Sequence, residues 1–177
     1  MSVLIIYQSV EGQTRKIARF ARDIVQKAGG EVVLFDAADK TAQLSLEGVD
    51  KVILAAPVHE RRHPREFELL LSASKDDLMA RPSLLLSVSL SAAFPEGHEE
   101  AKEYLTEMEM RTGFKPGAEA LIAGAVRTER YDYFATQVIR HVVLRGRDYD
   151  PDQGAHEFTD WNALENTLRE FLDARPA

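Results

Sequence analysis

Five short apolar runs constrain this chain more than any other feature: residues 3–7, 32–35, 52–56, 84–90 and 120–126. The first four are nearly unbroken apolar runs, interrupted only by Ser87 and Ser89 in the fourth, and the fifth is richer in Ala and Gly. Runs of that kind suit parallel strands covered by helices on both faces. The stretches between them carry helical spacing. Ile17, Phe20, Ala21, Ile24, Val25 and Ala28 form one apolar stripe, ended by the Gly29-Gly30 stop signal. Pro64 suits a first helical turn, with Phe67, Leu70 and Leu71 following on one face. Ala101, Tyr104, Leu105 and Met108 make a third stripe closed by Gly113. Trp161, Leu164, Leu168, Phe171 and Leu172 make the last, with Thr159 or Asp160 as its cap.

Alternating strands and helices with short joints imply an α/β doubly wound parallel sheet with right-handed crossovers. Five strands in 177 residues favour the order 2-1-3-4-5 over a full dinucleotide-binding sheet. The link 37–50 carries Leu44 and Leu46 but little periodicity, and predicts a short or irregular helix. After the fifth strand an insertion of about 127–158 precedes the last helix. Its first part, with Tyr131, Tyr133, Phe134, Val138, Ile139, Val142, Val143 and Leu144, reads as an extra amphipathic helix, and 146–155 as a loop. No linker or repeat divides the chain, so residues 1–177 are expected to form one domain.

Composition narrows the function. A net charge of −7 opposes general nucleic-acid binding, which needs many phosphate-neutralising cations. Cysteine is absent, so thiolate chemistry and a disulfide framework are excluded. The N-terminal residues lack the basic region and cleavage site of a signal peptide, and no apolar run approaches the roughly 20 residues that span a bilayer. A cytoplasmic location follows as the expectation. Arg127, Arg130, Arg140, Arg145 and Arg147 crowd one segment while 94–110 is rich in glutamate; either is also what a solvated surface looks like. His98, His141 and His156 are scattered, and Asp148, Asp150 and Asp152 read as a solvated loop, so no metal site is expected.

The densest chemistry lies where the first strand meets the first helix: Ser9, Val10, Glu11, Gly12, Gln13 and Thr14. A helix start presents unpartnered N–H groups and the positive end of the helix dipole, which together bind phosphate. Gly12 lets the backbone wrap closely, Ser9 and Thr14 add hydroxyls, and the Gln13 amide can donate. Glu11 should then point to solvent. The turn holds no lysine, which suits a terminal monophosphate better than a triphosphate with Mg²⁺, and it lacks the spacing of dinucleotide sites and P-loops. The same residues also make an ordinary helix-capping turn.

Ser-x-x-Gly-x-Thr after an N-terminal strand resembles the phosphate motif of the flavodoxin family. Residues 7–18, Ile122-Ala-Gly-Ala-Val-Arg127, Arg130-Tyr131 and Phe158-Thr-Asp-Trp161 are similar to one branch of it, the menaquinone-dependent protoporphyrinogen IX dehydrogenases, over almost the full length. The resemblance implies a flavodoxin-like fold, FMN as cofactor, and electrons passing from a tetrapyrrole to a quinone. In such a sheet the ligand lies outside the carboxyl ends of the strands. The loops after strands three and four, with Pro57, Val58, His59 and Glu60 and with Ser89, Leu90, Ser91 and Ala92, would then flank the flavin ring, chiefly through backbone groups. His59, His63, Arg61 and Arg62 are further candidates for its wall, or plain surface charges. The branch has a Tyr-Gly pair where this chain has Glu60-Arg61. Arg127, Arg130 and Tyr131 would meet the propionates and flat face of a tetrapyrrole, or the helix carrying them would pack on the domain or on a twin subunit. No residue stands out as a general base. The partners implied are a small redox substrate and a quinone or redox protein, with room for a homodimer and for peripheral contact with the inner membrane. Two other readings stay open: a flavodoxin-like electron carrier, and a flavodoxin-fold protein that has lost its flavin.

Overall fold

A computed structural model describes residues 1–126 and 156–174 of the chain. Its centre is a five-stranded parallel sheet of β1 (Ser2–Tyr7), β2 (Glu31–Asp36), β3 (Lys51–Pro57), β4 (Ser83–Ser89) and β5 (Ala118–Ala123) in the order β2-β1-β3-β4-β5. The expected 2-1-3-4-5 order is therefore the one found. Helix α1 (Gln13–Lys27) and the last helix, α5 (Trp161–Asp173), cover one face. Helices α2 (Arg65–Ala73), α3 (Lys75–Met79) and α4 (His98–Thr112) cover the other.

Alternation within each strand divides the core between the two layers. Val3, Ile5, Ile53, Leu84 and Leu86 meet Ile17, Ala21, Ile24, Leu164 and Leu168 on the first face. Leu4, Ile6, Val52, Leu54 and Leu85 meet Phe67, Leu71, Leu78, Leu105 and Met108 on the second. The stops lie where local chemistry puts them. Gly29 and Gly113 take left-handed φ values of 77° and 71° behind their helices, and the Asp160 carboxylate accepts from the Ala163 N–H at 3.0 Å to cap α5. Pro64 is the residue before α2 rather than its first turn.

Three further expectations need correction. The link 37–50 forms turns and irregular chain, not a helix. Leu44, Leu46 and Val49 pack on the second core without the periodicity a helix needs. For that reason β2 is not buried on both faces: Val33, on the side where a covering helix is missing, is 62% exposed. The fifth apolar run is broken at Gly124. Its end, β6 (Ala125–Val126), leaves the sheet to pair antiparallel with β7 (His156–Glu157). The extra helix and loop expected between these two strands lie outside the described residues.

At the opposite end of the sheet, Lys51 is buried and its Nζ donates to the carbonyls of Phe171, Leu172 and Ala174 at 2.8, 2.7 and 2.6 Å. A cation at a helix C-terminus satisfies carbonyls that have no intrahelical partner. Burial pulls the Lys51 ammonium below its usual pKa, with the Asp173 charge opposing that shift. This contact pins α5 to the sheet far from the loops that follow.

Candidate functional site

The loops at the carboxyl ends of the strands converge around the start of α1. Gly12 is the residue before the helix and has φ 101°, a left-handed conformation that suits glycine and strains other residues. Its N–H donates to Ser9 Oγ at 3.1 Å, folding the turn on itself. That bond uses Ser9 as an acceptor and leaves its hydroxyl hydrogen available. The first intrahelical bond runs from the Lys16 N–H to the Gly12 carbonyl at 3.1 Å. No side chain caps the helix, and the Thr14 and Arg15 N–H groups have no protein partner among the described residues. The Thr14 side chain is buried at the same place. The turn thus presents free donors at the positive end of a 15-residue helix.

The site differs from expectation at Gln13. Its amide nitrogen donates to Glu157 Oε2 and to Thr159 Oγ1, both at 3.0 Å, so both amide hydrogens are committed within the protein. Val10 is exposed, while Glu11 is half-buried rather than turned fully to solvent.

The loop after β3 is a two-residue hairpin. The His59 N–H donates to the Arg62 carbonyl at 2.9 Å and the Arg62 N–H to the His59 carbonyl at 3.0 Å. Its central residues, Glu60 and Arg61, have φ 48° and 66°. Such turns favour glycine or asparagine, and neither is present. Arg61 holds the turn by its side chain. The guanidinium reaches Glu100, Glu103 and Glu107 on α4 at 2.9, 3.2 and 3.3 Å and lies 5.2 Å from the Tyr104 ring centroid. The bonds to Glu107 and Glu103 raise the Arg61 pKa.

Arg62 and His63 likewise have partners within the protein, the first at the surface and the second buried. Arg62 donates to Glu68 at 3.3 Å, and Arg111 makes two bonds to the same carboxylate at 3.1 and 2.6 Å. Burial alone would raise the Glu68 pKa, but the Arg111 and Arg62 contacts outweigh it and hold it below the ordinary range. His63 is 3% exposed, with Nε2 3.0 Å from Ser87 Oγ and Nδ1 without a partner among the described residues. Burial lowers its pKa to about 4, so it is neutral. Of the four side chains considered for a ring wall in this loop, Arg61 and Arg62 pair with glutamates at the surface and His63 is buried.

After β4 the chain turns through a short 3₁₀ segment, Ser91–Ala93, with the Ala92 N–H on Ser89 Oγ at 3.1 Å. Ser91 Oγ lies 3.2 Å from the Tyr104 hydroxyl. Gly97 is required here, because a Cβ on it would collide with the Ser91 carbonyl. Phe94 packs edge-on against Phe158, with centroids 5.4 Å apart. The backbone of 57–60 and 89–92 therefore does border the same end of the sheet as the turn 9–14. Arg127, Arg130 and Tyr131 lie outside the described residues.

Glu157 and Thr159 were not legible as site residues. They meet Gln13 across sequence separations of 144 and 146, and no local pattern marks such a pairing. The one hint was their neighbourhood, since 158–161 is among the blocks that carry the resemblance.

Comparison with known proteins agrees with this geometry. Protoporphyrinogen IX dehydrogenase [quinone] of Escherichia coli K12 is 25% identical over 174 residues, covering 97% of this chain and 94% of that protein. The Leishmania major protein of the same name is 23% identical, covering 95% and 73%. Among solved structures, oxidised flavodoxin 1 from Bacillus cereus superposes with a TM-score of 0.58 at 16% identity, covering 99% and 100% of the two chains. A Fusobacterium nucleatum flavodoxin mutant bound to flavin mononucleotide gives 0.53 at 16% identity, covering 97% and 92%. These two likenesses bear on the fold. A flavodoxin-domain family model matches residues 4–152, and the chain belongs to that family.

Proposed function

We propose that this protein is an FMN-dependent oxidoreductase of the protoporphyrinogen IX dehydrogenase type, passing electrons from a tetrapyrrole through FMN to a quinone. The observation that carries the proposal is the uncapped start of α1. Gly12 is left-handed there, the Thr14 and Arg15 N–H groups have no partner among the described residues, and the Ser9 and Thr14 hydroxyls stand beside them. Those donors fit a phosphate monoester, whose charge gains from the helix dipole and from several charge-assisted bonds. Residues Ser9, Gly12 and Thr14 and the backbone of Val10, Glu11 and Gln13 would hold the phosphate. The backbone of Pro57, Val58, His59 and Glu60 and of Ser89, Leu90, Ser91 and Ala92 would border the ring. When bound, FMN supplies the electron-accepting chemistry, and the protein supplies orientation and electrostatics. Arg127, Arg130 and Tyr131 are assigned to the substrate's carboxylates and flat face, since guanidinium groups match carboxylates in geometry and charge. The proposal places the protein in the cytoplasm, meeting its quinone at the inner membrane surface. No described helix is long and apolar enough to cross a membrane.

A one-electron carrier is the second reading, favoured by the net charge of −7 and by Glu99, Glu100, Glu103, Glu107 and Glu109 on α4. Flavin titration followed by turnover tests both readings. FMN should bind at least about tenfold more tightly than riboflavin, because only FMN offers the turn a charged acceptor. Equal affinities would remove the phosphate site. The FMN-loaded protein should then oxidise protoporphyrinogen with a quinone acceptor, and binding without oxidation would favour the carrier.

A further inference from the structure

The strand that returns from residues 127–155 also reaches the phosphate turn. β7 pairs with β6, the Phe158 N–H donates to the Gly124 carbonyl at 3.0 Å, and Thr159 Oγ1 donates to the Ala123 carbonyl at 2.6 Å. The Gly124 N–H in turn donates to the Ser89 carbonyl at 3.1 Å. The Glu157 carboxylate is the centre of this arrangement. Oε2 accepts from Lys16 Nζ at 2.6 Å and from Gln13 Nε2 at 3.0 Å, and Oε1 accepts from the Trp161 indole at 2.6 Å. The Lys16 ammonium also lies 5.0 Å from the Trp161 ring centroid, and that ring packs on Phe20 with centroids 5.0 Å apart. Burial alone would raise the Glu157 pKa, but the bonds from Lys16, Trp161 and Gln13 hold it below the ordinary range.

These contacts are not what keeps α1 on the sheet. Ile17, Ala18, Ala21, Ile24 and Val25 are buried in the core and do that without them. The Glu157 contacts grip the first turn alone, at Gln13 and Lys16, on either side of the free Thr14 and Arg15 N–H groups. Bonds of this type set the rotation of a helix end, and a shift of one ångström there misaligns every N–H aimed at a bound anion.

We infer that Glu157 is a positioning residue for the phosphate turn, fixing the first turn of α1 through Gln13 and Lys16 and joining it to the base of the 127–155 segment. This rests on the FMN reading of the site. The Lys16 cation is thereby committed to the clamp, and the phosphate is left to neutral N–H and hydroxyl donors. A change at the base of the segment is felt at the cofactor's anchor.

The test uses full-length Glu157→Ala and Glu157→Gln proteins. Affinities for FMN and riboflavin are read by flavin fluorescence, and amide hydrogen exchange is measured on the apo-proteins. Glu157→Ala should weaken FMN binding about tenfold and leave riboflavin binding unchanged. It should also speed exchange at the Lys16 amide while sparing that of Ile24. Glu157→Gln keeps an acceptor for Trp161 but loses the ion pair with Lys16, and should fall between wild type and Glu157→Ala. If Glu157→Ala does not fold, the Gln variant carries the test. Unchanged or tighter FMN binding overturns the inference, and so does equal weakening of both flavins, which would mark a global loss of stability. If wild type binds no FMN, the FMN reading falls, and unchanged exchange at Lys16 would then overturn the clamp independently.

Discussion

The turn 9–14 and the hairpin 59–62 sit at the same end of the sheet, both need left-handed backbone, and they obtain it in opposite ways. The first uses Gly12 at φ 101°, which carries no side-chain penalty, and its helix start keeps N–H donors without partners among the described residues. The second puts Glu60 and Arg61 at φ 48° and 66° and offsets the strain with ion pairs from Arg61 to three glutamates of α4. Its neighbours Arg62 and His63 are tied to Glu68 and Ser87. The difference separates a backbone left open for a ligand from a loop closed by its own side chains. Charge in a loop is therefore a poor guide to which loop keeps donors to spare: Arg61 is spent on three glutamates, and the lysine-free turn keeps N–H groups without partners among the described residues.

If the hairpin is structural, its anchor should matter most for stability. Glu68 is 8% exposed at its side chain and receives both Arg62 and Arg111. Glu68→Ala should lower the unfolding free energy by roughly 2 kcal/mol, because the charge-assisted bonds from Arg62 and Arg111 to a buried carboxylate are lost. Urea denaturation measures this, and a loss under 1 kcal/mol would show the network to be solvated. Acid should act in the same direction. The Glu68 pKa is lowered in the folded protein, so its contribution is present above its ordinary 4.5 and is lost as pH falls through the lower folded value. His63 ordinarily titrates at 6.5 but in the fold only near 4, so the unfolded chain binds the extra proton first. Stability should decline from about pH 6.5 down to pH 4, and His63→Gln should flatten that part of the curve.

If the turn 9–14 is functional, the balance of effects should reverse. Gly12→Asp adds left-handed strain and a negative charge beside the phosphate, and should weaken FMN binding by roughly a hundredfold while lowering stability by only about 1 kcal/mol, the left-handed penalty alone. A large drop in melting temperature with FMN affinity intact would show that Gly12 serves the fold instead. The smallest effect is expected at Glu60→Gly. Relief of one left-handed residue should raise stability by about 1 kcal/mol. FMN affinity should not move, and a clear change in it would place the Glu60 side chain at the ring.

The elements whose cause is local were legible in the sequence. Continuous β-branched and leucine runs marked the strands, the i, i+3, i+4 stripes marked α1, α4 and α5, and Gly113 and Asp160 marked helix ends. Gly12 at a strand-to-helix joint marked the candidate site for the same reason, since its steric freedom and the free N–H groups beside it belong to a few consecutive residues. The link 37–50 failed as a helix because scattered apolar residues can pack on a core without period, and β2 lost its second cover with it. What only tertiary structure decided was the choice of partner: Gln13 with Glu157, Arg61 with α4, Arg111 with Glu68, Lys51 with the end of α5. A glutamine or an arginine has many acceptable partners in a sequence of 29 acidic residues. Which one it meets depends on how helices and strands distant in the chain are packed, and so does whether a charged loop is left to bind a ligand or is already satisfied.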